Sequence, residues 1–216
     1  MPQWGLDFEA AILNVSLLWL LTTPHEFAHA WTAIKLGDDT PRLERRNTLH
    51  PMAHVDWIGT LLLPAITSLM GAGFLGWGKP VNTNPARLRG GMNGLALVAL
   101  AGPASNVIFA VILAGAAVVL GNLPASAGGV FSSFAEYCGY GVYLSLYLAI
   151  FNMMPVPPLD GSKLLLAARV PSVIYLELAR FGFLLIIVAF SLTGLGYRMS
   201  GWAMGGAAAI FKVLSP

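Results

Sequence analysis

Long apolar stretches separated by short polar connectors dominate the pattern of this chain. Runs of about 20 apolar residues are long enough to cross a bilayer as helices. The first helix is predicted over 8–36, because Gly37 and the following Asp38, Asp39 and Pro41 signal its end. Further apolar helices are predicted over 94–120, 133–154 and 173–195. The pattern therefore predicts an all-α protein.

Two other apolar segments do not fit a simple crossing. The stretch over 57–74 has Pro64 in its middle and Gly71 and Gly73 near its end, so it is predicted to be a re-entrant or hairpin element. The tail over 202–211 is short and is predicted to lie at the interface. Together these segments predict a polytopic transmembrane helix bundle of about five to six membrane segments.

Composition supports a membrane protein with one functional unit. Hydrophobic residues make up 56% of the 216 residues and charged residues only 10%, against roughly a quarter in soluble proteins. Residues 1–216 are therefore interpreted as a single domain, with a core over 8–170 and an additional C-terminal span and tail over 171–216. The net charge of +2 carries no nucleic-acid signature.

The basic residues predict an orientation. They cluster in the connectors over 37–56 and 77–92, whereas 122–137 contains no lysine or arginine. By the positive-inside rule the first two connectors are cytoplasmic and the third is external. Both ends of the element over 57–74 must then lie on the cytoplasmic side.

Two histidines and a glutamate interrupt the first apolar helix. His25 and His29 are offset by only about 40° on a helix and rise about 6 Å, so both rings can reach one metal ion. Glu26 lies beside them as a candidate base. A pair of buried histidines satisfied by hydrogen bonds is the alternative, although each polar group would need a partner in lipid.

A catalytic zinc site typically needs a third protein ligand and one open position. The single cysteine, Cys138, cannot build a thiolate site, so nitrogen and oxygen ligands are expected. Asp160 is the candidate, because it follows three prolines at the end of a span, where broken backbone is tolerated only if it lines a cavity. An N-cap role for Asp160 is the open alternative.

A polar side chain also lies near the start of the helix over 94–120. Asn106 follows Gly102 and Pro103, which let a neighbouring backbone approach closely. If 57–74 is a hairpin, Asn106 lies at the same depth as the histidines and Asp160. A helix-packing hydrogen bond is the alternative role for Asn106.

Taken together, these motifs resemble the site-2 protease family of intramembrane zinc metallopeptidases. The matches are HExxH over 25–29, a small-residue motif with an asparagine over 102–106, and NxxPxPxLDG over 152–161. The similarity covers roughly 8–170, although the run before Asn84-Pro85 departs from the usual pattern. It implies a small prokaryotic-type member without a PDZ or CBS domain, in the cytoplasmic membrane with its active site toward the cytoplasm.

The resemblance also implies residue roles and partners. The implied roles are one Zn²⁺ per chain bound by His25, His29 and Asp160, water activation by Glu26, and substrate binding by Asn106 and Asn152. The implied activity is hydrolysis of peptide bonds in or near transmembrane segments of membrane proteins or peptides, in regulated proteolysis or remnant clearance. A membrane metal transporter and a non-catalytic relative that binds membrane proteins are the alternatives; Glu26 argues against the second.

Two smaller features remain. His50 and His54 are also four apart, with Asp56 close by, but Pro51 excludes a second HExxH motif. A structural or surface role is predicted for them, with gating or secondary metal binding as the alternative. The segment over 79–84 is predicted to offer an extended edge to a substrate.

Overall fold

The computed structural model describes residues 8–69, 76–124 and 128–215. Throughout these ranges the regular secondary structure is helical and no strand occurs, which confirms the all-α prediction. The helices are α1 (Phe8–Lys35), α2 (Thr40–Leu43), α3 (Leu63–Leu69), α4 (Met92–Gly121), α5 (Gly129–Asn152), α6 (Ser162–Ala167), α7 (Ser172–Thr193) and α8 (Leu195–Leu214). A 3₁₀ turn, Pro51–His54, and a π-helical stretch, Trp57–Leu62, precede α3.

Within the part of the chain that the structure describes, two helices, α4 and α7, are both long and apolar enough to cross a membrane. The tail helix is longer than predicted, because the segment over 202–211 lies within a helix of 20 residues, α8. Gly194 has a φ of +63°, which ends α7 and lets α8 begin at once. At 1.5 Å per residue α8 is about 30 Å long, equal to the hydrocarbon core of a bilayer.

The core of the bundle lies between α1, α4, α5 and α8. Leu17 and Leu21 of α1 are fully buried and belong to one cluster with Ala110 and Ala114 of α4 and Val142 of α5. Small alanine side chains let the helices pack closely, which is the usual way that membrane helices associate. This packing holds α1 against α4 at the turns of α1 that precede His25 and His29.

The first helix ends as its sequence predicts. Gly37 has a φ of +104°, and the Asp38 amide donates to the Ala33 carbonyl at 3.0 Å, which forms a Schellman motif. The Arg89 amide donates to the Leu36 carbonyl at 2.8 Å. The end of α1 therefore lies beside the start of α4.

The element predicted over 57–74 is described up to residue 69, and residues 70–74 lie outside the described ranges. Asn14 donates to Ser68 at 2.9 Å, so α3 descends along α1 away from the histidines. The Trp77 amide donates to the Gly59 carbonyl at 2.9 Å, and the Thr60 hydroxyl donates to the Trp77 carbonyl at 2.9 Å. The two described ends of this segment therefore meet at one level, as a hairpin requires.

The connector between α1 and the hairpin is built around a buried cation. Arg46 is 3% exposed, and its guanidinium donates to the carbonyls of Ala53 and Lys79. The Lys79 amide donates in turn to the His54 carbonyl at 2.9 Å. These bonds hold residues 76–80 against the connector.

His54 is part of this connector. Its side chain is fully buried and Nε2 donates to the Thr48 carbonyl at 2.7 Å, whereas His50 is exposed. Asp56 accepts hydrogen bonds from the amides of Ile58 and Gly59 and caps the π-helical stretch. Among the described residues, His50, His54 and Asp56 do not form a group that could hold a metal ion, and these contacts support the structural role.

The environment of His54 predicts a pH-dependent stability. Burial, aided by the nearby Arg46 guanidinium, holds the pKa of His54 below its ordinary value, against the opposing effect of the Thr48 carbonyl. As the pH falls through the unfolded-state pKa of about 6.5, the unfolded chain takes up this proton first, so stability is lost on acidification.

We expect His54→Gln, which can still donate to the Thr48 carbonyl, to show a smaller loss of melting temperature than the native protein between pH 7 and pH 5. Thermal unfolding in detergent measures it. His50→Gln, at the exposed neighbour, is the control and should behave like the native protein. Equal acid sensitivity of all three proteins would contradict the prediction.

Candidate metal centre and active site

Three buried side chains converge on one point between α1 and the segment that joins α5 to α6. Nε2 of His25 and Nε2 of His29 lie 3.1 Å apart, and Oδ2 of Asp160 lies 3.1 Å and 3.0 Å from them. The three residues are between 4% and 8% exposed. The predicted ligands are therefore brought together as one group that could hold a metal ion.

The orientation of the His29 ring is fixed from behind. Nδ1 of His29 lies 2.7 Å from the carbonyl oxygen of Val98 on α4, which can only accept, so Nδ1 carries the proton. In the neutral ring Nε2 is then a lone-pair donor that faces the Asp160 carboxylate. Two acceptor atoms at 3.0 Å repel one another unless a proton or a metal cation lies between them.

A glycine on α4 leaves the space in front of both rings open. A Cβ atom on Gly102 would lie 2.3 Å from Nε2 of His29 and 2.6 Å from Nε2 of His25. No side chain with a Cβ atom fits there without displacing the rings. The close approach at Gly102 is made by the two histidine rings, whereas a neighbouring backbone was expected there.

The segment before α6 presents Asp160 to the histidines. The amide of Gly161 donates to the carbonyl of Asn152, the last residue of α5, at 2.7 Å. Within the described residues, both oxygens of Asp160 are engaged by side chains and none of their bonds caps α6, unlike the N-cap alternative. The Asn152 side chain donates to the Leu148 carbonyl of its own helix at 3.0 Å.

Glu26 lies in the same cavity as the ligand group. This cavity has a volume of about 150 Å³ and is lined by Glu26, both histidines, Asp160 and Asn106. Glu26 is 7% exposed, and its Oε2 has no hydrogen-bond partner among the described residues. A carboxylate oxygen is thus available to whatever enters the cavity.

Asn106 contributes an unpartnered amide to this cavity. It is 1% exposed, and neither Nδ2 nor Oδ1 finds a hydrogen-bond partner within residues 8–69, 76–124 and 128–215. The Ser145 hydroxyl of α5 bonds to its main-chain carbonyl instead, at 2.7 Å. Helix packing therefore uses the backbone of Asn106 and leaves its side chain for the cavity.

The donor set fits a zinc ion. Two imidazole nitrogens and one carboxylate oxygen are ligands that zinc accepts, and bonds of about 2.0–2.1 Å in a tetrahedron place ligand atoms roughly 3.3 Å apart. The observed separations of 3.0–3.1 Å are close to that value. The hydrogen bond behind His29 is also typical of a metal-binding histidine.

Two charged residues of the site were not anticipated from the sequence. Nζ of Lys163 lies 2.9 Å from Oδ1 of Asp160. The charge pattern of the sequence predicts only an orientation role for Arg46. The i,i+3 spacing of Asp160 and Lys163 could have indicated the first pair. The role of Arg46 had no local signal, because its partners are main-chain carbonyls, which residue type does not reveal.

Comparison with known proteins identifies relatives over most of the chain. The chain is 34% identical over 199 residues to "Putative zinc metalloprotease YwhC" of Bacillus subtilis (strain 168), and this match covers 89% of the chain and 86% of the relative. The chain belongs to the site-2 protease family. This protease is also 33% identical over 160 residues to "Putative zinc metalloprotease Rip2" of Mycolicibacterium smegmatis, covering 72% of the chain and 57% of that relative.

The Rip2 protein of Mycobacterium tuberculosis (strain H37Rv) is 30% identical over 165 residues to this site-2 protease, again with 57% of the relative covered. No family model matches the chain, and no solved structure matches it. The family assignment confirms the resemblance in the motifs and makes the protein a metalloprotease, with zinc as the metal named for its relatives.

Proposed function

We propose that this protein is a zinc-dependent intramembrane endopeptidase that hydrolyses peptide bonds in or near the transmembrane segments of membrane-protein substrates. The observation that carries the proposal is the convergence of His25, His29 and Asp160 on one buried point, with Glu26 in the same cavity. One of the two helices that are long and apolar enough to cross a membrane, α4, lines this cavity, which supports a site within the bilayer. His25, His29 and Asp160 would hold one zinc ion per chain.

Peptide hydrolysis requires a strong nucleophile and stabilisation of the developing oxyanion. A zinc ion bound here supplies Lewis-acid chemistry, which lowers the pKa of water to about 7 and polarises the peptide carbonyl. Glu26 accepts the proton of the attacking water through its free carboxylate oxygen. It then delivers that proton to the leaving amine.

Asn106 is proposed to bind the substrate backbone. Its amide is buried, unpartnered among the described residues and aimed into the cavity, so it can donate to the carbonyl of the scissile bond. A preorganised donor of this kind is worth about 2.7–4 kcal/mol where water is scarce. Asn152, which also lines the cavity, is proposed to position the substrate beside it; cleavage kinetics of Asn106→Ala and Asn152→Ala test these roles.

The segment after the hairpin is proposed to align the substrate as an extended strand. Residues 76–84 are not helical; the Trp77 amide bonds to Gly59 at the start of the hairpin, and the Lys79 amide bonds to His54 of the connector. Gly78 lies between them, and a Cβ atom at this position would be 3.5 Å from Oε1 of Glu26. The Gly78 main chain therefore faces the base, and an unwound substrate can pair along that edge.

The long helices α1, α4, α5, α7 and α8 are proposed to cross the cytoplasmic membrane, with the segment over 57–74 as a hairpin. His29 lies six residues before the end of α1, about 9 Å along the helix axis. The basic connector follows that end, which favours a site near the cytoplasmic surface. Water reaches Glu26 over a short distance in this arrangement.

The purified full chain in detergent tests the proposal with a reporter substrate of one transmembrane helix. We expect about one zinc per chain by elemental analysis, cleavage that stops on removal of zinc with a chelator, and recovery on adding zinc back. Chelation removes the Lewis acid and leaves the chain intact. Full cleavage by the metal-free protein would overturn the metal mechanism, and cleavage only of a soluble peptide would overturn the intramembrane assignment.

A further inference from the structure

The Asp160 carboxylate uses its two oxygens differently. Oδ2 faces Nε2 of both His25 and His29, at 3.1 Å and 3.0 Å. Oδ1 accepts from the ammonium group of Lys163 at 2.9 Å. One oxygen is therefore directed at the ligand point, and the other is held away from it by a cation.

Lys163 is itself held in place by the fold. Its amide donates to the Asp160 carbonyl at 2.9 Å, and the preceding Ser162 is buried and donates from its hydroxyl to the Leu159 carbonyl at 2.7 Å. The Lys163 side chain is 27% exposed where that of Asp160 is 10% exposed, so Lys163 lies at the rim of the cavity. The ammonium group thus approaches Asp160 from the more open side.

We infer that Lys163 is a positioning residue that makes Asp160 a metal ligand through one oxygen only. The inference rests on the proposed zinc site. A carboxylate can bind a metal through one or both oxygens, and a catalytic zinc site needs one position free for water. By engaging Oδ1 in a charge-assisted hydrogen bond, Lys163 keeps that oxygen off the metal and the remaining position open.

An ordinary surface ion pair is the competing interpretation. Such pairs contribute little to stability, and their removal leaves a distant site unchanged. The position of Lys163 argues otherwise, because its partner is a buried carboxylate that also contacts both histidines. Removing a hydrogen-bond partner of a metal ligand typically lowers metal affinity by about 10- to 100-fold.

The test measures Zn²⁺ affinity of the full chain in detergent by competition with a chromogenic chelator. We expect Lys163→Met to bind Zn²⁺ about 10- to 100-fold more weakly than the native protein, and Lys163→Arg to recover most of the affinity. Lys212→Met, at an exposed lysine near the end of α8, is the matched control and should not change the affinity. The visible spectrum of the Co²⁺-loaded protein should change in Lys163→Met, because the carboxylate can then bind through both oxygens.

His29→Ala separates this inference from the proposed zinc site. If His29→Ala binds Zn²⁺ as tightly as the native protein, the ligand assignment itself is wrong. If His29→Ala loses Zn²⁺ while Lys163→Met keeps native affinity and an unchanged Co²⁺ spectrum, the zinc site stands and the role of Lys163 is overturned. A Lys163→Met protein that melts earlier without metal but keeps the native Co²⁺ spectrum also overturns it, since Lys163 is then only structural.

Discussion

Glu26→Gln is expected to lower the rate of substrate cleavage by about two to four orders of magnitude. Glutamine has nearly the same shape as glutamate but cannot accept the proton of the attacking water. Because Glu26 is not one of the three residues whose ligand atoms converge, the variant should retain zinc. Single-turnover cleavage of the reporter substrate, measured together with zinc content, checks both statements.

Glu9→Gln is the matched control for this variant. Glu9 lies on the same helix at an exposed position, and its replacement makes the same chemical change far from the cavity. Its cleavage rate should equal that of the native protein. A Glu26→Gln protein that cleaves at the native rate would remove Glu26 from the mechanism, whereas loss of zinc from it would show that Glu26 supports the ligands.

Gly102→Ala is expected to abolish both zinc binding and cleavage. The added Cβ atom would lie 2.3 Å from Nε2 of His29 and 2.6 Å from Nε2 of His25, so the rings must move away from Asp160. Overpacking of this kind typically costs about 1–3 kcal/mol in stability. Zinc content, cleavage rate and the melting temperature of the metal-free protein measure the three consequences.

Gly115→Ala on the same helix is the control, because a Cβ atom at Gly115 would meet nothing within 4 Å among the described residues. Replacing a helical glycine by alanine without a clash stabilises the helix by up to about 1 kcal/mol. Gly115→Ala should therefore keep its zinc and its activity. A Gly102→Ala protein with native zinc content would mean that α4 does not approach the ligand atoms as the structure indicates.

Much of the site could be predicted because its signals are local. Helical periodicity alone predicts that His25 and His29, four residues apart, lie on one face of α1. Gly37 predicts the end of that helix. The sequence identifies Asp160 as a candidate third ligand, but it does not distinguish this role from that of a helix N-cap. Which of these two roles Asp160 has depends on its contacts with His25 and His29, which lie more than 130 residues earlier.

The remaining features depend on packing that no local pattern encodes. The hydrogen bond from His29 to the Val98 carbonyl involves a main-chain atom, so the type of residue at position 98 does not predict it. Arg46 looks like any basic connector residue until the fold buries it against the carbonyls of Ala53 and Lys79. The full length of the tail helix could not be predicted because Gly194 joins α7 to α8 without a polar connector between them.

The hydrogen bond between Trp77 and Gly59 holds the two ends of the hairpin at one level. In the proposed topology, a segment that leaves and returns at one level adds an even number of crossings. The orientation of every later helix is then independent of how deeply the hairpin reaches. Changes in hairpin length can thus accumulate without moving Asn106 or Asp160 to the opposite face from His25.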